Sequence, residues 1–266
     1  MNSSSPPWRE ILHEAADAVR LRVKGVLSGR GSCPVGELKR LLDETAQGAL
    51  CDTFSRRGVS ARLVSEEGEE IFGQGELIIT ADPVDGTTNL ARGLSPSVVS
   101  LSVAERPRQG AVIHAVVSDL ETGCTYYAES DRGATRNGLP IRVFGITGYG
   151  DGLISMDVSK MEDLSPVIPL ITRARHIRAQ GCAAVSLCHV AEGVLDAHVD
   201  IRGSIRATDI SAGLFILKQA GGAYAVDGRP WGDFPLERET RVSLAAASDS
   251  ALLEEIGSLL AGSIKA

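Results

Sequence analysis

The segment at residues 81–89, ADPVDGTTN, follows an apolar run, LIIT, that predicts a buried strand. Asp82 and Asp85 place two carboxylates three residues apart, and a buried carboxylate is costly unless a cation lies beside it. Pro83 biases the residue before it toward an extended backbone, and Gly86 allows a close approach of the main chain. Oxygen ligands beside free N–H groups suit a hard divalent cation and a phosphate. The alternative is an ordinary Asp-Pro turn capped by threonine.

Three further acids lie at positions where they could join such a site. Glu66 follows a predicted strand at Ala61–Ser65, Asp43 lies within a helical pattern, and Asp209 precedes a helical run at Ile210–Ala220. Each has a plainer interpretation. Glu66 could belong to an exposed acidic loop over the run EEGEE, Asp43 could be a solvated acid on a helix, and Asp209 could be a helix N-cap. The sequence alone leaves both interpretations open for each residue.

The predicted elements change character midway along the chain. The first half combines amphipathic helices with short β-rich runs separated by turn clusters, which predicts an antiparallel meander, whereas the second half alternates strands and helices. We therefore predict one domain over residues 1–266, with an α+β subdomain carrying an antiparallel sheet at 1–146 and an α/β subdomain at 147–266. The predicted helices are Trp8–Leu27, Glu37–Phe54, Leu164–Arg175, Cys182–Glu192 and Ile210–Ala220, with a mobile loop at Ser28–Val35. The predicted strands include Ala61–Ser65, Val98–Ala104, Ala111–Val117, Cys124–Ala128, Ile141–Phe144, Leu153–Met156, His176–Arg178, Ala197–Ile201, Ala223–Val226 and Arg241–Ala247.

Composition excludes several functional classes. A net charge of −7 argues against nucleic-acid binding as the main activity. No apolar run approaches the roughly 20 residues that span a bilayer, and the polar N-terminus lacks a signal-peptide core. The five cysteines are scattered without a C-x-x-C pair, which predicts free thiols in a reducing compartment. We expect a cytoplasmic protein without nucleic-acid or membrane partners.

The motifs, taken together, resemble the inositol monophosphatase superfamily. The segment DPVDGTTN resembles the first family signature, TDISAG at 208–213 resembles the second, and VSEE at 64–67 resembles the family's strand-end pair of glutamates. The resemblance covers nearly the whole chain in the same order, and VDIRG at 199–203 is similar to the archaeal branch. Thr208 replaces the usual tryptophan of the second signature, and the loop GRGSCP at 29–34 lacks the lysine or aspartate that many relatives carry.

The resemblance implies a layered α-β-α-β-α sandwich of the sugar phosphatase type and a phosphatase that forms a homodimer. It further implies that the substrate phosphate bridges two Mg²⁺ ions, with a third ion left open because of the altered loop. The implied metal ligands and catalytic groups are Glu66, Asp82, the Val84 carbonyl, Asp85 and Asp209 for the metals, and Asp43, Glu66 and Thr87 for catalysis.

The resemblance also implies a set of substrate-binding residues around a small phosphate ester. Gly86, Thr87 and Thr88 would meet the phosphate, and Asp200 would contact substrate hydroxyl groups. Gly181, Cys182 and Ala183 match the helix start that lines the family's pocket. A basic stretch adds Arg178 and Arg202 as candidates for a second phosphate, with ordinary surface charge as the alternative.

Three functions fit these residues. The first is a phosphomonoesterase acting on inositol monophosphate, fructose 1,6-bisphosphate or both through a metal-activated water. The second is a nucleotidase acting on 3′-phosphoadenosine-5′-phosphate, and the third is a non-catalytic metal-binding homologue. A cysteine nucleophile is the rival mechanism, but no cysteine lies in a loop that could cradle a phosphate.

Overall fold

The fold comprises two sheets and seven helices in the described residues of a computed structural model, which are 7–29, 31, 33–145 and 148–262. The predicted mobile loop includes Arg30 and Ser32, which lie outside the described residues, so its mobility stays a prediction. The helices are α1 (Trp8–Gly29), α2 (Val35–Arg56), α3 (Thr87–Arg92), α4 (Ile168–Arg173), α5 (Ala183–Ala191), α6 (Ala207–Gln219) and α7 (Ser250–Gly262).

The first sheet has eight strands in the order β2-β1-β3-β4-β5-β6-β7-β8. From β3 onward each strand pairs antiparallel with the next, as the sequence predicts, whereas β1 and β3 are parallel. The strands are β1 (Ala61–Ser65), β2 (Gly68–Phe72), β3 (Leu77–Asp85), β4 (Val98–Ala104), β5 (Val112–Asp119), β6 (Thr125–Glu129), β7 (Gly133–Arg136) and β8 (Leu139–Ile141).

The second sheet has six strands in the order β10-β9-β11-β14-β12-β13. Its strands β9 and β11 are parallel, and β14 runs antiparallel to its two neighbours. The strands are β9 (Leu153–Met156), β10 (His176–Arg178), β11 (Ala197–Arg206), β12 (Ala223–Val226), β13 (Arg229–Pro230) and β14 (Arg241–Ala247).

Three hydrophobic cores join five layers, and the central core spans the middle helical layer and contacts both sheets. Helices α1 and α2 cover one face of the first sheet around Leu42 and Leu101, and α5 and α6 fill the space between the sheets around Leu187 and Leu214. Helices α4 and α7 close the far face of the second sheet around Ile256. The predicted α-β-α-β-α sandwich is therefore confirmed. The division into subdomains at 146–147 stays a prediction, and Ile146 and Thr147 lie outside the described residues.

Several predicted boundaries are wrong for local reasons. The acidic run after Glu66 is not a loop: Gly68–Phe72 forms β2, an edge strand whose exposed glutamates are a common protection against edge pairing. The strand predicted at Ile141–Phe144 lies instead at Leu139–Ile141, after the unpredicted β7. The predicted helix at Leu164–Arg175 is shorter, with a 3₁₀ turn before α4.

None of the helices in the described ranges is long and apolar enough to cross a membrane. The predicted homodimer and cytoplasmic location stay predictions.

Candidate active site

Strand β3 carries the two aspartates of the ADPVDGTTN segment. It continues through Asp85 instead of ending before Asp82, and its pairing with β4 shifts register between these two residues. Pro83, which cannot donate a ladder hydrogen bond, lies in that irregularity. The Val84 N–H donates to Asp82 Oδ1 at 3.0 Å, which fixes the carboxylate beside the bulge. The bulge therefore orients both acids at the end of a central strand.

Three elements bring carboxylates together at this point. Ligand oxygens of Glu66 after β1, Asp82 on β3 and Asp209 on α6 all lie within 4.8 Å of one another. Octahedral Mg²⁺, with ligands at about 2.1 Å, places its ligand oxygens roughly 3–4 Å apart. The carboxylate oxygens and their spacing therefore fit a hard divalent cation.

A cavity of about 670 Å³ opens over this cluster. Seven predicted site residues lie outside its described lining: Asp43, Thr88, Arg178, Gly181, Cys182, Ala183 and Asp200. Eight line it: Glu66, Asp82, Val84, Asp85, Gly86, Thr87, Arg202 and Asp209. The acids and the predicted phosphate-binding turn thus share one cavity.

Asp85 connects β3 to the start of α5. Its Oδ2 accepts the Ala184 N–H at 2.7 Å and the Cys182 S–H at 3.2 Å. The predicted pocket-lining segment at 181–183 therefore lies behind Asp85, and Cys182 is a buried donor to a carboxylate. Because a thiol that donates to Asp85 is protonated, and burial raises the pKa of Cys182 further, this geometry does not suit a cysteine nucleophile.

Asp43 on α2 and Thr87 on α3 form a second pair beside the cluster. The Thr87 hydroxyl is within hydrogen-bond distance of Asp43 Oδ1 at 3.1 Å and of the Val84 carbonyl at 2.9 Å. Gly86 precedes Thr87 with φ of 90°, and a Cβ there would approach the Pro96 carbonyl to 2.8 Å. Glycine is therefore required for the turn that presents Thr87 to Asp43.

Burial and mutual repulsion keep these acids from ionising easily in the metal-free protein. Burial, with the charge of Asp209, raises the pKa of Asp85 to about 7. Burial and the charges of Asp85 and Asp209 raise the pKa of Asp82 well above its ordinary value. Burial raises the pKa of Asp43 to about 6, opposed by the Thr87 hydrogen bond. The cluster is electrostatically incomplete without a cation.

Two arginines that the sequence did not single out as site residues contact Glu66. The Arg206 guanidinium on β11 forms an ion pair with the Glu66 carboxylate, and Arg206 also lines the cavity. Arg238 donates from Nε and Nη2 to the Glu66 carbonyl at 3.1 and 3.0 Å. Arg206 lies three residues before Asp209 in the sequence, and this short spacing is the sequence signal by which Arg206 could have been predicted as a neighbour of the acidic cluster. No sequence signal marks Arg238, which is 172 residues away from Glu66.

The predicted start of the Asp209 helix is wrong by three residues. Helix α6 begins at Ala207, so Asp209 lies in its first turn, and its Oδ2 accepts the Arg206 N–H at 3.2 Å. The Thr208 hydroxyl donates to Asp209 Oδ1 at 3.1 Å. The Asp209 carboxylate therefore both caps the start of α6 and belongs to the acidic cluster.

The predicted arginines for a second phosphate have different surroundings. Arg202 lines the cavity, but its guanidinium binds the buried Asp200 carboxylate at 2.8 and 2.6 Å and forms an ion pair with Asp157 at 3.1 Å. Arg178 is exposed on β10 and donates to the Ile177 carbonyl at 2.9 Å. Arg202 thus lies between Asp200 and the cavity. Arg178 is not among the described residues that line the cavity.

The raised pKa of Asp85 predicts a pH-dependent cost to the metal-free fold. Between about pH 4 and pH 7 the unfolded chain ionises this aspartate while the folded chain does not, so folding stability falls as pH rises. We expect the Tm of Asp85→Asn to rise relative to the natural protein across this window, with both proteins in EDTA. Parallel Tm curves would contradict this.

Asp163→Asn is the matched control, because the Ser165 hydroxyl bound to Asp163 lowers the pKa of that exposed carboxyl. Removing Asp163 should give no gain in Tm between pH 4 and pH 7.

Comparison with known proteins identifies one family whose members match this chain over most of its length. The sequence matches a model of the inositol monophosphatase family over residues 11–261. It is 31% identical over 254 residues to the fructose-1,6-bisphosphatase/inositol-1-monophosphatase of Archaeoglobus fulgidus, covering 91% of this chain and 92% of that protein. It is also 29% identical over 213 residues to the bifunctional NADP phosphatase/NAD kinase of Methanococcus maripaludis, covering 71% of this chain and 37% of that protein.

A solved structure has the same fold. A protein from Pyrococcus horikoshii, described as similar to inositol-1 monophosphatase, superimposes with a TM-score of 0.81 and 26% identity. The match covers 96% of this chain and 98% of that one. Both sheets and all three helical layers therefore fall within the matched region.

Proposed function

Because this chain belongs to the inositol monophosphatase family and is a phosphatase, we propose that it is a Mg²⁺-dependent phosphomonoesterase of small sugar or inositol phosphates. The substrate class is inositol monophosphate, fructose 1,6-bisphosphate or both. The observation that carries the proposal is the convergence of Glu66, Asp82 and Asp209 in a cavity that also contains Gly86 and Thr87.

We propose as metal ligands the residues that the family resemblance implies, three of which form the acidic cluster. Glu66, Asp82 and the Val84 carbonyl would hold one Mg²⁺ ion, and Asp82, Asp85 and Asp209 a second, with a third ion left open. When bound, the ions offset the phosphate charge and lower the pKa of a coordinated water toward neutrality. Because the donors are all oxygens, a hard cation suits them better than a soft one.

We propose that Asp43 and Thr87 orient the attacking water. The Thr87 hydroxyl proton faces Asp43 Oδ1 and the Val84 carbonyl, so its oxygen lone pairs are left to accept a hydrogen bond from water. With a pKa of about 6, Asp43 is mostly ionised at neutral pH and can accept a proton from that water. The pair therefore acts as an orienting and proton-accepting unit.

The turn at Gly86 supplies the phosphate-binding side of the cavity. Gly86 and Thr87 lie in its wall, and α3 begins at Thr87. The N–H groups of a helix start favour an anion. The Lys39 ammonium, which donates to the Thr88 hydroxyl at 3.0 Å, adds positive charge on the same side. We propose that the scissile phosphate lies against this turn.

The opposite wall of the cavity carries three basic side chains, one of which binds a buried aspartate behind it. Lys160, Arg202 and Arg206 line it, and Arg202 fixes the buried Asp200. We propose that Arg202 contacts the substrate and that Asp200, which is buried behind it, orients its guanidinium. The exposed position of Arg178 favours Arg206 over it as a partner for a second phosphate.

A second candidate function is the removal of a phosphate from a nucleotide. The relative from Methanococcus maripaludis is named as an NADP phosphatase, which supports a nucleotide substrate. The predicted alternative, 3′-phosphoadenosine-5′-phosphate, belongs to the same class. Met161, Ile201 and Ile205 in the cavity wall could pack against a base.

A phosphate-release assay with the purified protein separates these candidates. The substrates are inositol 1-phosphate, fructose 1,6-bisphosphate, 3′-phosphoadenosine-5′-phosphate and NADP, each with Mg²⁺ and with EDTA. We expect Mg²⁺-dependent turnover that is fastest on the inositol or fructose ester. Preference for either nucleotide would favour the second candidate, and no turnover of any ester would leave the non-catalytic homologue.

A further inference from the structure

We propose that Arg206 is an internal cation that competes with the metal for Glu66 and so weakens metal binding in the resting protein. The proposal rests on the proposed function, since it assumes that Glu66 is a metal ligand. The observation behind the proposal is the contact between the Arg206 guanidinium and the Glu66 carboxylate.

The position of Arg206 follows from the length of β11. This strand extends to Arg206, with a register irregularity between Asp200 and Ile205 where it pairs with β14. The end of the strand therefore meets the first turn of α6, and the Arg206 N–H binds Asp209 Oδ2. The main chain holds Arg206 beside the acidic cluster independently of its side chain.

The charge of Arg206 acts on the other acids as well as on Glu66. It is the largest influence lowering the pKa of Asp209, and it also lowers the pKa of Asp43. Arg202, another arginine in the described cavity wall, is bound by Asp200 and Asp157. Arg241 also lowers the pKa of Asp209, but the guanidinium in direct contact with Glu66 is that of Arg206.

A metal ion and the guanidinium cannot share the Glu66 carboxylate without cost. Each prefers direct contact with the same oxygens, and two cations in contact repel. In the proposed competition Mg²⁺ displaces the guanidinium from Glu66, so the free energy of the Arg206 ion pair is subtracted from the affinity for the metal. Removing the guanidinium should strengthen metal binding while weakening the metal-free fold.

The test is a titration of Arg206→Gln with Mg²⁺ by isothermal calorimetry, with Mn²⁺ as a second probe. We expect the Kd to fall about tenfold, as for the loss of one charge-assisted contact that opposes binding. The Tm in EDTA should fall, and the rise in Tm on adding saturating Mg²⁺ should increase. An unchanged or higher Kd would overturn the proposal, because Arg206 would then only position Glu66.

Two matched variants show whether a change in the Kd for the metal comes from the contact with Glu66 or from the loss of a positive charge. Arg241 pairs with Arg206 in the β11–β14 register, but its guanidinium donates to the carbonyls of Arg238 and Thr240. Arg241→Gln removes the same charge without removing a contact to Glu66, and its Kd should stay within about twofold of the natural protein's. Arg206→Lys keeps the charge without the fork and should give an intermediate Kd. A tenfold gain in Arg241→Gln equal to that in Arg206→Gln would overturn direct competition.

A measurement on the unaltered protein covers the case in which a variant does not fold. The Arg206 Nε–H resonance, assigned through bonds in the isotopically labelled natural protein, should shift as Mg²⁺ is added, with the same midpoint as the calorimetric titration. A resonance that does not respond would overturn the proposal. If the natural protein binds neither Mg²⁺ nor Mn²⁺, the proposed function itself fails, which is a different outcome.

Discussion

Replacing Asp82 with Asn is expected to lower kcat/KM by about a thousandfold, equivalent to about 4 kcal/mol of transition-state stabilisation. The proposed site uses this carboxylate for both metals, and an amide is a neutral, poorer ligand for a hard cation. Oδ1 of the asparagine can still accept the Val84 N–H, so the bulge in β3 should persist.

The same substitution should raise the Tm of the metal-free protein. Asp82 is 4% exposed, and its pKa is raised by burial and by the charges of Asp85 and Asp209. A neutral isostere removes that repulsion, so Tm in EDTA should increase while the stabilisation by Mg²⁺ shrinks. Loss of activity together with a lower Tm in EDTA would point instead to a structural role for Asp82.

Asp52→Asn is the control for the Asp82 variant. This aspartate is exposed on α2 and pairs with Arg22, away from the cavity. Its loss should change neither kcat/KM nor the response of Tm to Mg²⁺.

Replacing Thr87 with Val is expected to lower kcat by about a hundredfold while leaving the Kd for Mg²⁺ unchanged. Valine keeps the shape of threonine but removes the hydroxyl, which is a hydrogen-bond donor with Asp43 Oδ1 and the Val84 carbonyl as its two acceptors in range. Without that hydroxyl the attacking water loses one of the two groups that orient it. The measurements are kcat from phosphate release and Kd from calorimetry.

A double-mutant cycle with Asp43→Asn tests whether the two residues act as one unit. Because Thr87 and Asp43 share a hydrogen bond, the double variant should be little slower than the slower single variant. Multiplicative losses would contradict a shared role. Thr53→Val, which removes a buried α2 hydroxyl bound to the Ala49 carbonyl, should leave kcat unchanged.

The sequence was most informative where one short segment encodes the geometry. Asp82, Asp85 and Gly86 belong to nine consecutive residues, so their spacing along the chain already limits where their groups can lie. Amphipathic helices and β-rich runs predicted an α+β half followed by an α/β half, whereas the five-layer sandwich was implied by the family resemblance. The end of β3 was misplaced because a bulged strand that carries a proline resembles a turn.

The rest of the site depends on contacts between distant residues. Glu66 meets Asp209 because β1, β3 and α6 converge, and no spacing along the chain encodes that distance. The ion pair between Arg206 and Glu66 requires β11 to extend five residues beyond its predicted end at Ile201. Arg238 reaches the Glu66 carbonyl from a segment without a motif. Such partners become visible only once the fold is known.

The most direct test of the metal site is an anomalous difference map from crystals soaked in Mn²⁺. The account predicts one peak between Glu66, Asp82 and the Val84 carbonyl and a second between Asp82, Asp85 and Asp209. Crystals of Asp82→Asn grown in the same condition should lose both peaks. Strong peaks elsewhere, with none at these carboxylates in the natural protein, would contradict the account.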